Sequence, residues 1–315
     1  MIVRRIVAAV ALAALGAGCV TSEAATRSPD PTSARSTAGP AGATGSSPSP
    51  SPSPQPEPDA LPDPDEAIPL RARLLAGTLE TTAAANRDAI ARWSADGGTS
   101  AWPPPDDVEL LTLYEQRIYR ELARRPKLAE RVLDRLRGRT AAEARANVRA
   151  GHALFEHFRP VEEVPDFRIR GPEPADALLG YFREAEDRFD VDWEVLAAIM
   201  LVETRMGRIR SSSSAGAQGP MQFLPSTWAA YGLGGDVRDP HDAVLGAANY
   251  LAASGAPGDY RGALHAYNPV DAYVTAVWRY ARTMMRFPEA YYAYYNWQVF
   301  VRTVDGDVRL SGPGL

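Results

Sequence analysis

Residues 193–228 read WEVLAAIMLVETRMGRIRSSSSAGAQGPMQFLPSTW, and this stretch decides the fold of the chain. Its first part is almost entirely apolar and predicts a helix over residues 193–205. Side chains three or four positions apart share one face of that helix, namely Leu196, Ile199, Met200 and Glu203. Glu203 therefore lies at the C-terminal end of an apolar face. In such a position, desolvation and the negative end of the helix dipole both raise the pKa of a carboxyl group.

A carboxyl group that stays protonated near neutral pH is what cleavage of a glycosidic bond requires as its general acid. Glu203 also has a simpler interpretation, as an exposed helix-end glutamate that pairs with Arg205 or Arg208. Taken alone, its position favours that structural role. The catalytic interpretation therefore depends on the residues that follow.

The segment after this helix combines small residues with one amide. Gly216, Gly219 and Pro220 allow a tight backbone path that brings the main chain close to a ligand or to another segment. The amide of Gln222 both donates and accepts hydrogen bonds, as sugar hydroxyl and acetamido groups require. Phe223 is expected in the hydrophobic core rather than in a cleft.

A second polar pair, Tyr267 and Asn268, stands where one predicted helix ends and the next begins. Tyr267 offers a phenol at the end of the first helix. Asn268 precedes Pro269, so its side chain is suited to cap the second helix. Capping and contact with a ligand are compatible roles for Asn268, and both interpretations stay open.

Helical periodicity extends over most of the remaining chain. Residues 68–158 carry apolar positions three and four apart, with Gly138 as a helix stop, and a second helical region begins near Ala175. Residues 299–310 alternate around Asp305-Gly306 and predict a β-hairpin with a type I′ turn. The sequence therefore predicts a mainly α fold with a short C-terminal β-hairpin.

Four segments, in this order along the chain, resemble the lytic murein transglycosylases. The closest likeness is to the membrane-bound lytic transglycosylase B type within the lysozyme-like (SLT) superfamily. The segments are residues 203–207, residues 216–228, Asp239 with residues 250–251, and residues 266–268. The resemblance covers residues 175–287 and implies a lysozyme-like helical catalytic domain with a helical region before it. One departure is Met206, where an aromatic residue often precedes the motif glycine.

The resemblance also implies roles for individual residues. Glu203 matches the single catalytic acid, and Gln222 matches the glutamine that contacts substrate near the cleaved bond. Tyr267 and Asn268 match the pair that lines the cleft beside the acid. Further substrate-binding positions implied by the same motifs are Met221 and Ser213, the latter at the acetamido group with Ser214 as its neighbouring alternative.

The implied reaction cleaves the β-1,4 bond between N-acetylmuramic acid and N-acetylglucosamine in peptidoglycan and leaves 1,6-anhydromuramic ends. A one-carboxylate mechanism fits the sequence, because Asp192 and Glu194 lie too far back on the helix of Glu203 to act with it. Two alternatives stay open, a hydrolytic muramidase and a non-catalytic cell-wall-binding lipoprotein. No cofactor is expected, and the four histidines show no zinc spacing, so no metal site is predicted.

The beginning of the chain predicts export. A short basic segment precedes an apolar stretch, and Cys19, the only cysteine, follows small residues. This pattern predicts a lipoprotein signal peptide over residues 1–19 and a lipid on Cys19 that anchors the protein at the outer face of the cell membrane. Gly16 stands where a lipobox usually has leucine. The alternative is an ordinary signal peptide cleaved near Ala25.

Four further parts follow the predicted signal peptide. Residues 20–66 are rich in Ser and Pro and predict a disordered tether. A helical region over residues 67–159, a catalytic domain over residues 160–290 and an aromatic segment with the hairpin over residues 291–315 complete the organisation. The net charge of −5 argues against a nucleic-acid partner. The expected partners are glycan strands and, through the lipid, the membrane, with the protein itself a monomer.

Arginine is dense between residues 117 and 139, at Arg117, Arg120, Arg124, Arg125, Arg131, Arg135, Arg137 and Arg139. One interpretation is a basic face for anionic wall polymers or lipid head groups. The other is a solvated helix face partly paired with carboxylates. The second is favoured because acidic residues are interleaved with the arginines, at Glu115, Glu121, Glu130 and Asp134.

Overall fold

The computed structural model describes residues 60–315, so the predicted signal peptide, Cys19 and most of the predicted tether lie outside the described residues. Within that range the chain forms eleven α-helices and one β-hairpin, which confirms the predicted mainly α fold. The elements are α1 (Ala72–Ala95), α2 (Asp106–Arg124), α3 (Pro126–Leu133), α4 (Gly138–His157), α5 (Ala175–Phe189), α6 (Trp193–Thr204), α7 (Pro225–Tyr231), α8 (Pro240–Ala253), α9 (Tyr260–Tyr267), α10 (Asp271–Arg286), α11 (Ala290–Tyr295), β1 (Phe300–Thr303) and β2 (Gly306–Arg309). None of these described helices is both long enough and apolar enough to cross a bilayer.

Helix α6 lies at the centre of the fold. Every residue from Val195 to Thr204 is buried. A helix that is apolar all round is covered by neighbours on every side, and α6 packs against α5, α8, α10 and α11. The sequence predicted a single apolar face for this helix. Because the structure surrounds it instead, Glu203 in its last turn is enclosed by protein.

The helices before and after α6 share one hydrophobic core. Helix α10 packs against both α6 and α4, and α4 packs in turn against α2. Buried apolar side chains extend from Leu75 in α1 to Tyr295 in α11. The division of the chain at residues 160 and 290 stays a prediction, and the core of residues 60–315 is continuous across both positions.

The segment after α10 is tied to earlier helices by buried polar contacts. The phenol of Tyr294 donates a hydrogen bond to Asn147 Oδ1 on α4 at 2.7 Å. The side-chain amide of Gln116 on α2 donates to the Gln298 main-chain carbonyl at 2.9 Å and accepts from the Gln298 main-chain N–H at 2.8 Å. Paired amides of this kind satisfy each other in a dry interior, so the C-terminal segment is an integral part of the core.

The β-hairpin forms where it was predicted, but its turn is displaced by one residue. Thr303 pairs with Gly306, so the two loop residues are Val304 and Asp305. Gly306 has a positive φ of 135°, whereas neither loop residue has a positive φ. The predicted type I′ turn at Asp305-Gly306 is therefore wrong, because that turn needs positive φ at both central residues. The hydroxyl of Thr303 holds the shifted register by donating to the Gly306 carbonyl at 2.9 Å.

Gly138 begins a helix instead of ending one. It is the first residue of α4, and α3 already ends at Leu133. Its φ of 57° lies in the left-handed region that favours glycine. The predicted helix stop at Gly138 was wrong, because a glycine that reverses the chain direction can stand before a helix as well as after one.

The arginine-rich helices are only partly solvated. Arg120 is buried and pairs with Asp307 of β2 at 2.6 Å, and Arg124 pairs with the same carboxylate. Exposed positions such as Arg131 fit the favoured interpretation of a solvated face. That interpretation is wrong for Arg120, because the hairpin, distant in sequence, covers this side of α2. Glu115 does not pair with arginine either, since it accepts hydrogen bonds from neutral side chains in the interior.

The last residues of the predicted tether lie against the folded body. Pro62 is buried, and the Pro64 carbonyl accepts a hydrogen bond from Arg117 at 3.0 Å. Asp65 forms an ion pair with Arg309 of β2 at 3.5 Å. Residues 62–66 therefore contact both α2 and the hairpin before α1 begins.

Candidate active site

Glu203 occupies the last turn of α6 without access to solvent. Its exposed fraction is 0%, and neither carboxyl oxygen has a partner of ordinary hydrogen-bond geometry within residues 60–315. Arg205 and Arg208 do not pair with it, because their guanidinium groups donate to the main-chain carbonyl oxygens of Leu201 and Tyr295. The ion pair that the simpler interpretation of Glu203 required is absent from the described structure.

Burial raises the pKa of Glu203 from 4.5 to about 8. The cause is desolvation, since a carboxylate in the protein interior loses its hydration. The Tyr273 phenol on α10 lies beside the carboxyl group and acts in the opposite direction, lowering the pKa in part. No charged side chain of the described residues contributes. At neutral pH Glu203 is therefore mainly protonated and able to donate a proton.

Tyr273 was not predicted from the sequence. It is fully buried in α10, and the nearby Glu203 carboxyl adds to burial in raising the pKa of its phenol well above the usual value. Its hydroxyl has no partner of ordinary geometry among the described residues. Its position, six residues after Tyr267, carries no local signal, because an interior tyrosine in an amphipathic helix normally belongs to the core.

The chain turns sharply after Glu203. Arg205, Met206 and Gly207 have φ values of 54°, 56° and 78°. Consecutive left-handed residues end a helix and redirect the backbone. Met206 is fully buried at this turn, so its side chain belongs to the core rather than to an exposed subsite.

Thr204 connects the end of α6 to the following loop. Its hydroxyl donates to the Pro220 carbonyl at 2.7 Å and accepts from the Gly207 N–H at 3.0 Å. Because Met221 and Gln222 come directly after Pro220, this contact holds them at the end of α6, next to Glu203. Sequence reasoning did not single out Thr204.

A four-residue loop presents Gln222. Gln218 and Phe223 close the loop with two backbone hydrogen bonds of 2.8 Å. Gln222 has a φ of 51° and is 4% exposed, and its Nε2 donates to the Gly219 carbonyl at 2.8 Å. Its Oε1 has no partner within the described residues. A buried acceptor without a donor is costly, so this oxygen is available to a ligand that donates. Phe223 is buried, as predicted.

Tyr267 and Asn268 approach the same place from the end of α9. The Tyr267 phenol donates to the Met221 carbonyl at 2.7 Å, and its pKa is raised by burial and by the neighbouring Glu203. Asn268 is 1% exposed, with Oδ1 unpartnered among the described residues. The predicted capping role is wrong, because α10 begins at Asp271 and its first turn has no side-chain cap. The amide of Asn268 is thus buried without a structural partner for its oxygen.

Ser213 lies in the adjoining turn. Its hydroxyl accepts from the Ala217 N–H at 3.0 Å, and Ser214 is exposed. Neither serine has a hydrogen bond to the other predicted residues in the described structure. Described contacts place Tyr267 beside Glu203 and join it to the Met221 carbonyl, and Gln222 and Asn268 follow Met221 and Tyr267 directly in sequence. Five of the six predicted site residues within residues 60–315 therefore lie in one neighbourhood: Glu203, Met221, Gln222, Tyr267 and Asn268.

A row of aromatic rings leads away from this cluster. Phe223 lies 5.1 Å from Trp228 and 5.8 Å from Tyr267, measured between ring centroids. Tyr250 continues the row, 5.6 Å from Tyr267 and 4.7 Å from Tyr231. All but Phe223 are partly exposed. Of these five rings only Tyr231 lies outside the sequence motifs, but the row itself was not predicted, because it is assembled from the Gln222 loop, α7, α8 and α9.

One group of described side chains is close enough to share a metal ion, Asp239, His241 and Asp242 at the start of α8. Asp239 accepts from the Asp242 N–H at 3.1 Å and so caps the start of α8. Asp242 accepts from the backbone of the preceding loop, and His241 bonds to Glu184 at 2.9 Å. These contacts are those of a helix cap, and nothing in them indicates an ion.

Gly219→Ala is expected to destabilise the chain by about 2–5 kcal/mol and to reduce activity by displacing Gln222. A Cβ atom at this position would lie 1.7 Å from the Val237 carbonyl oxygen, and the backbone φ is already 74°. Thermal unfolding followed by circular dichroism measures the change. The matched control is Gly216→Ala, which has φ of 81° but no atom within 4 Å of the added Cβ. Its cost should be limited to strain of about 1–2 kcal/mol; equal losses in both variants would contradict the close approach to Val237.

Residues 180–286 match the family model of the Transglycosylase SLT domain. The matched segment contains α6, the loop around Gln222, and helices α9 and α10, and so all five clustered residues. Comparison with curated proteins gives no match. The segment thus has the lysozyme-like helical fold of that domain family, as the sequence resemblance implied. The finer likeness to the membrane-bound lytic transglycosylase B type stays a prediction.

Proposed function

We propose that this protein is a peptidoglycan lytic transglycosylase of the membrane-bound lytic transglycosylase B type. Its substrate would be the β-1,4 bond between N-acetylmuramic acid and N-acetylglucosamine, and its product 1,6-anhydromuramic ends. The observation that carries the proposal is one fully buried carboxyl group, Glu203, with its pKa raised to about 8 inside the segment that matches the transglycosylase domain. No second carboxylate of residues 60–315 influences it.

The first step uses Glu203 as an acid. With its pKa near 8, the carboxyl group carries a proton at neutral pH and donates it to the glycosidic oxygen. The bond from that oxygen to the muramyl anomeric carbon breaks, and the muramyl acetamido group stabilises the positive charge that develops. Most glycosidases use a second carboxylate for this stabilisation. The single carboxyl group here suits a reaction in which the substrate supplies that function.

The second step uses the same residue as a base. After proton transfer, Glu203 is a carboxylate that is shielded from solvent, where burial favours recovery of the proton. It takes that proton from the C6 hydroxyl of the same muramyl residue, and the C6 oxygen closes the 1,6-anhydro ring at the anomeric carbon. One proton leaves Glu203 and one returns, so the cycle balances without a water molecule.

Substrate positioning is assigned to the polar atoms that lack partners around the acid. Gln222 Oε1 and Asn268 Oδ1 are buried acceptors suited to sugar hydroxyl or acetamido N–H groups. Tyr267 and Met221 border the reacting sugar, and Ser213 stands near the acetamido group in the adjoining turn. The partly exposed rings of Trp228, Tyr231 and Tyr250 extend the binding surface along the glycan strand.

Access to Glu203 requires movement of a neighbouring segment, because the carboxyl group has no exposed surface. The hydrogen bond of 2.7 Å from Tyr267 to the Met221 carbonyl joins α9 to the loop that presents Gln222. We assign the opening to separation of this pair. A sugar hydroxyl that replaced the Met221 carbonyl as acceptor would preserve the hydrogen bond of the phenol.

The proposed function places the protein outside the cytoplasm, where peptidoglycan lies. A signal peptide over residues 1–19 would direct export, and a lipid on Cys19 with a tether over residues 20–66 would hold the catalytic domain at the membrane within reach of the wall. These parts remain predictions from the sequence. A monomer satisfies the proposed chemistry, since all the assigned residues belong to one chain.

Digestion of purified peptidoglycan followed by mass spectrometry tests the reaction. The expected muropeptides end in 1,6-anhydromuramic acid and are lighter by one water molecule than the corresponding reducing products. Products with reducing ends would instead establish the hydrolytic muramidase. Binding to the wall without release of any muropeptide would establish the non-catalytic alternative.

A further inference from the structure

A large cavity opens on the side of α10 that faces away from Glu203. It has a volume of about 750 Å³ and lies between α4, α9 and α10. Its charged lining consists of four arginines, Arg261, Arg279, Arg282 and Arg286, and includes no carboxylate. A further arginine, Arg149 of α4, is near enough to affect the charge of Arg279.

These four arginines have no carboxylate partner within residues 60–315, whereas the acidic residues nearby are already engaged. Glu143 on α4 pairs with Arg139 at 2.9 Å, and Glu289 pairs with the same guanidinium group. Glu143 also pairs with Arg87 at 3.3 Å. The positive charge of the cavity is therefore not neutralised by the protein itself.

Arg279 shows that this arrangement is energetically unfavourable for the protein's own groups. Its Nε is buried and has no hydrogen-bond partner among the described residues. Burial lowers the pKa of Arg279, and the charges of Arg149 and Arg261 lower it further. A buried donor without an acceptor and crowded like charges are both unfavourable. An anion in the cavity would relieve both.

The spacing of the arginines indicates the size of that anion. Arg279, Arg282 and Arg286 follow one another at three and four residues, so they form a stripe about 10 Å long on one face of α10. A single phosphate group reaches one or two guanidinium groups, which it binds in a forked geometry. Only a ligand with repeated charges engages the whole stripe.

The stripe is remote from the glycan site. At 100° per residue, the positions of Arg279, Arg282 and Arg286 lie roughly opposite Tyr273 around the axis of α10. Tyr273 faces Glu203, so the cavity opens on the other side of this helix. The ring of Trp278, 5.9 Å from the Arg282 guanidinium carbon, provides an apolar wall beside the charges.

We propose that this cavity binds a linear polyanion whose repeated charged groups are phosphodiesters. The concave shape suits a strand better than a flat membrane surface. Phosphate oxygens match the forked donors of several closely spaced guanidinium groups. The cavity would bind the anionic polymer on one side of α10, while Tyr273 on the opposite side of this helix faces Glu203. This inference does not depend on the identity of the reaction at Glu203.

The test compares two triple variants with the same change in net charge. Arg279→Gln/Arg282→Gln/Arg286→Gln removes the stripe, and Arg131→Gln/Arg135→Gln/Arg137→Gln removes three exposed arginines of α3 and the segment after it. Binding of the full chain to fluorescent synthetic poly(glycerol phosphate) is measured by anisotropy. The stripe variant should lose about 10²-fold in affinity, with a shallower salt dependence. The control should retain nearly all of its affinity.

Several results would overturn the proposal. Equal losses in both triple variants would indicate general surface electrostatics. If poly(glutamate) bound as tightly as poly(glycerol phosphate), the cavity would have no preference for phosphate. A difference between the two triple variants that is seen only with phosphatidylglycerol vesicles would indicate a membrane surface instead.

The single variant Arg282→Gln, at an exposed position, gives the same comparison if the triple variant does not fold. Glu203→Gln should bind the polymer like the unaltered chain, which separates this site from the proposed reaction.

Discussion

Glu203→Gln is expected to reduce release of muropeptides by about 10²–10⁴-fold, the contribution typical of a general acid. Glutamine has nearly the same shape as the protonated acid but no transferable proton. It also cannot accept the proton of the C6 hydroxyl, so both proposed steps are affected. The measurement is the rate of muropeptide release from purified peptidoglycan.

The fold should tolerate this change, because the carboxyl group of Glu203 makes no ion pair and has no ordinary hydrogen bond in the described structure. Glu194→Gln is the matched control, since Glu194 is at the opposite end of the same helix and only partly buried. It should keep nearly full activity. Unchanged activity in Glu203→Gln would show that Glu203 is not the catalytic acid of either the lyase or the hydrolase reaction.

The folding stability of the unaltered chain is expected to decline by about 3–5 kcal/mol, relative to Glu203→Gln, as pH rises from 4.5 to about 8. In the unfolded chain the carboxyl group ionises from about pH 4.5, whereas in the folded chain it keeps its proton up to about pH 8. Between these values unfolding releases a proton, so higher pH favours the unfolded state. Below pH 4.5 both states are protonated, and this contribution to stability is fully present.

Urea unfolding of both proteins across this pH range measures the decline. The difference between the two free energies of unfolding isolates Glu203 from the other titrating groups. Glu194→Gln should take away only a small part of the decline, because burial also raises the pKa of this half-buried carboxyl group. A constant difference between the unaltered chain and Glu203→Gln would mean that Glu203 titrates near its ordinary pKa and is hydrated in the folded protein.

Local features of the structure were predictable where neighbours along the chain decide them. The predicted helix over residues 193–205 corresponds to α6. Asp239 and Asp259 each precede a helix and accept a backbone hydrogen bond from its first turn, as aspartate commonly does at that position. Such contacts span three or four residues, so the local sequence contains all the participants. The same reasoning failed at Asn268, because a cap depends on where the next helix starts, and α10 starts later than Pro269 indicated.

Features that depend on distant segments were not predictable. Arg120 became a buried partner of Asp307, a pair separated by 187 positions in sequence. Tyr273 reached Glu203 because α10 packs on α6. The arginine cavity arises in the same way, from α4, α9 and α10, and its arginines lie outside the stretch that the sequence marked as basic.

The sequence by itself determined the helical class of the fold and the order of the motif residues, with Glu203 as the candidate acid. Helical periodicity and short-range spacing suffice for both. Only the tertiary structure decided the chemical state of that acid and what surrounds it. A pKa near 8 depends on complete removal of water, and water is removed by side chains from helices and loops far apart in the chain. Desolvation is a property of the packed interior, which no local pattern of residues specifies.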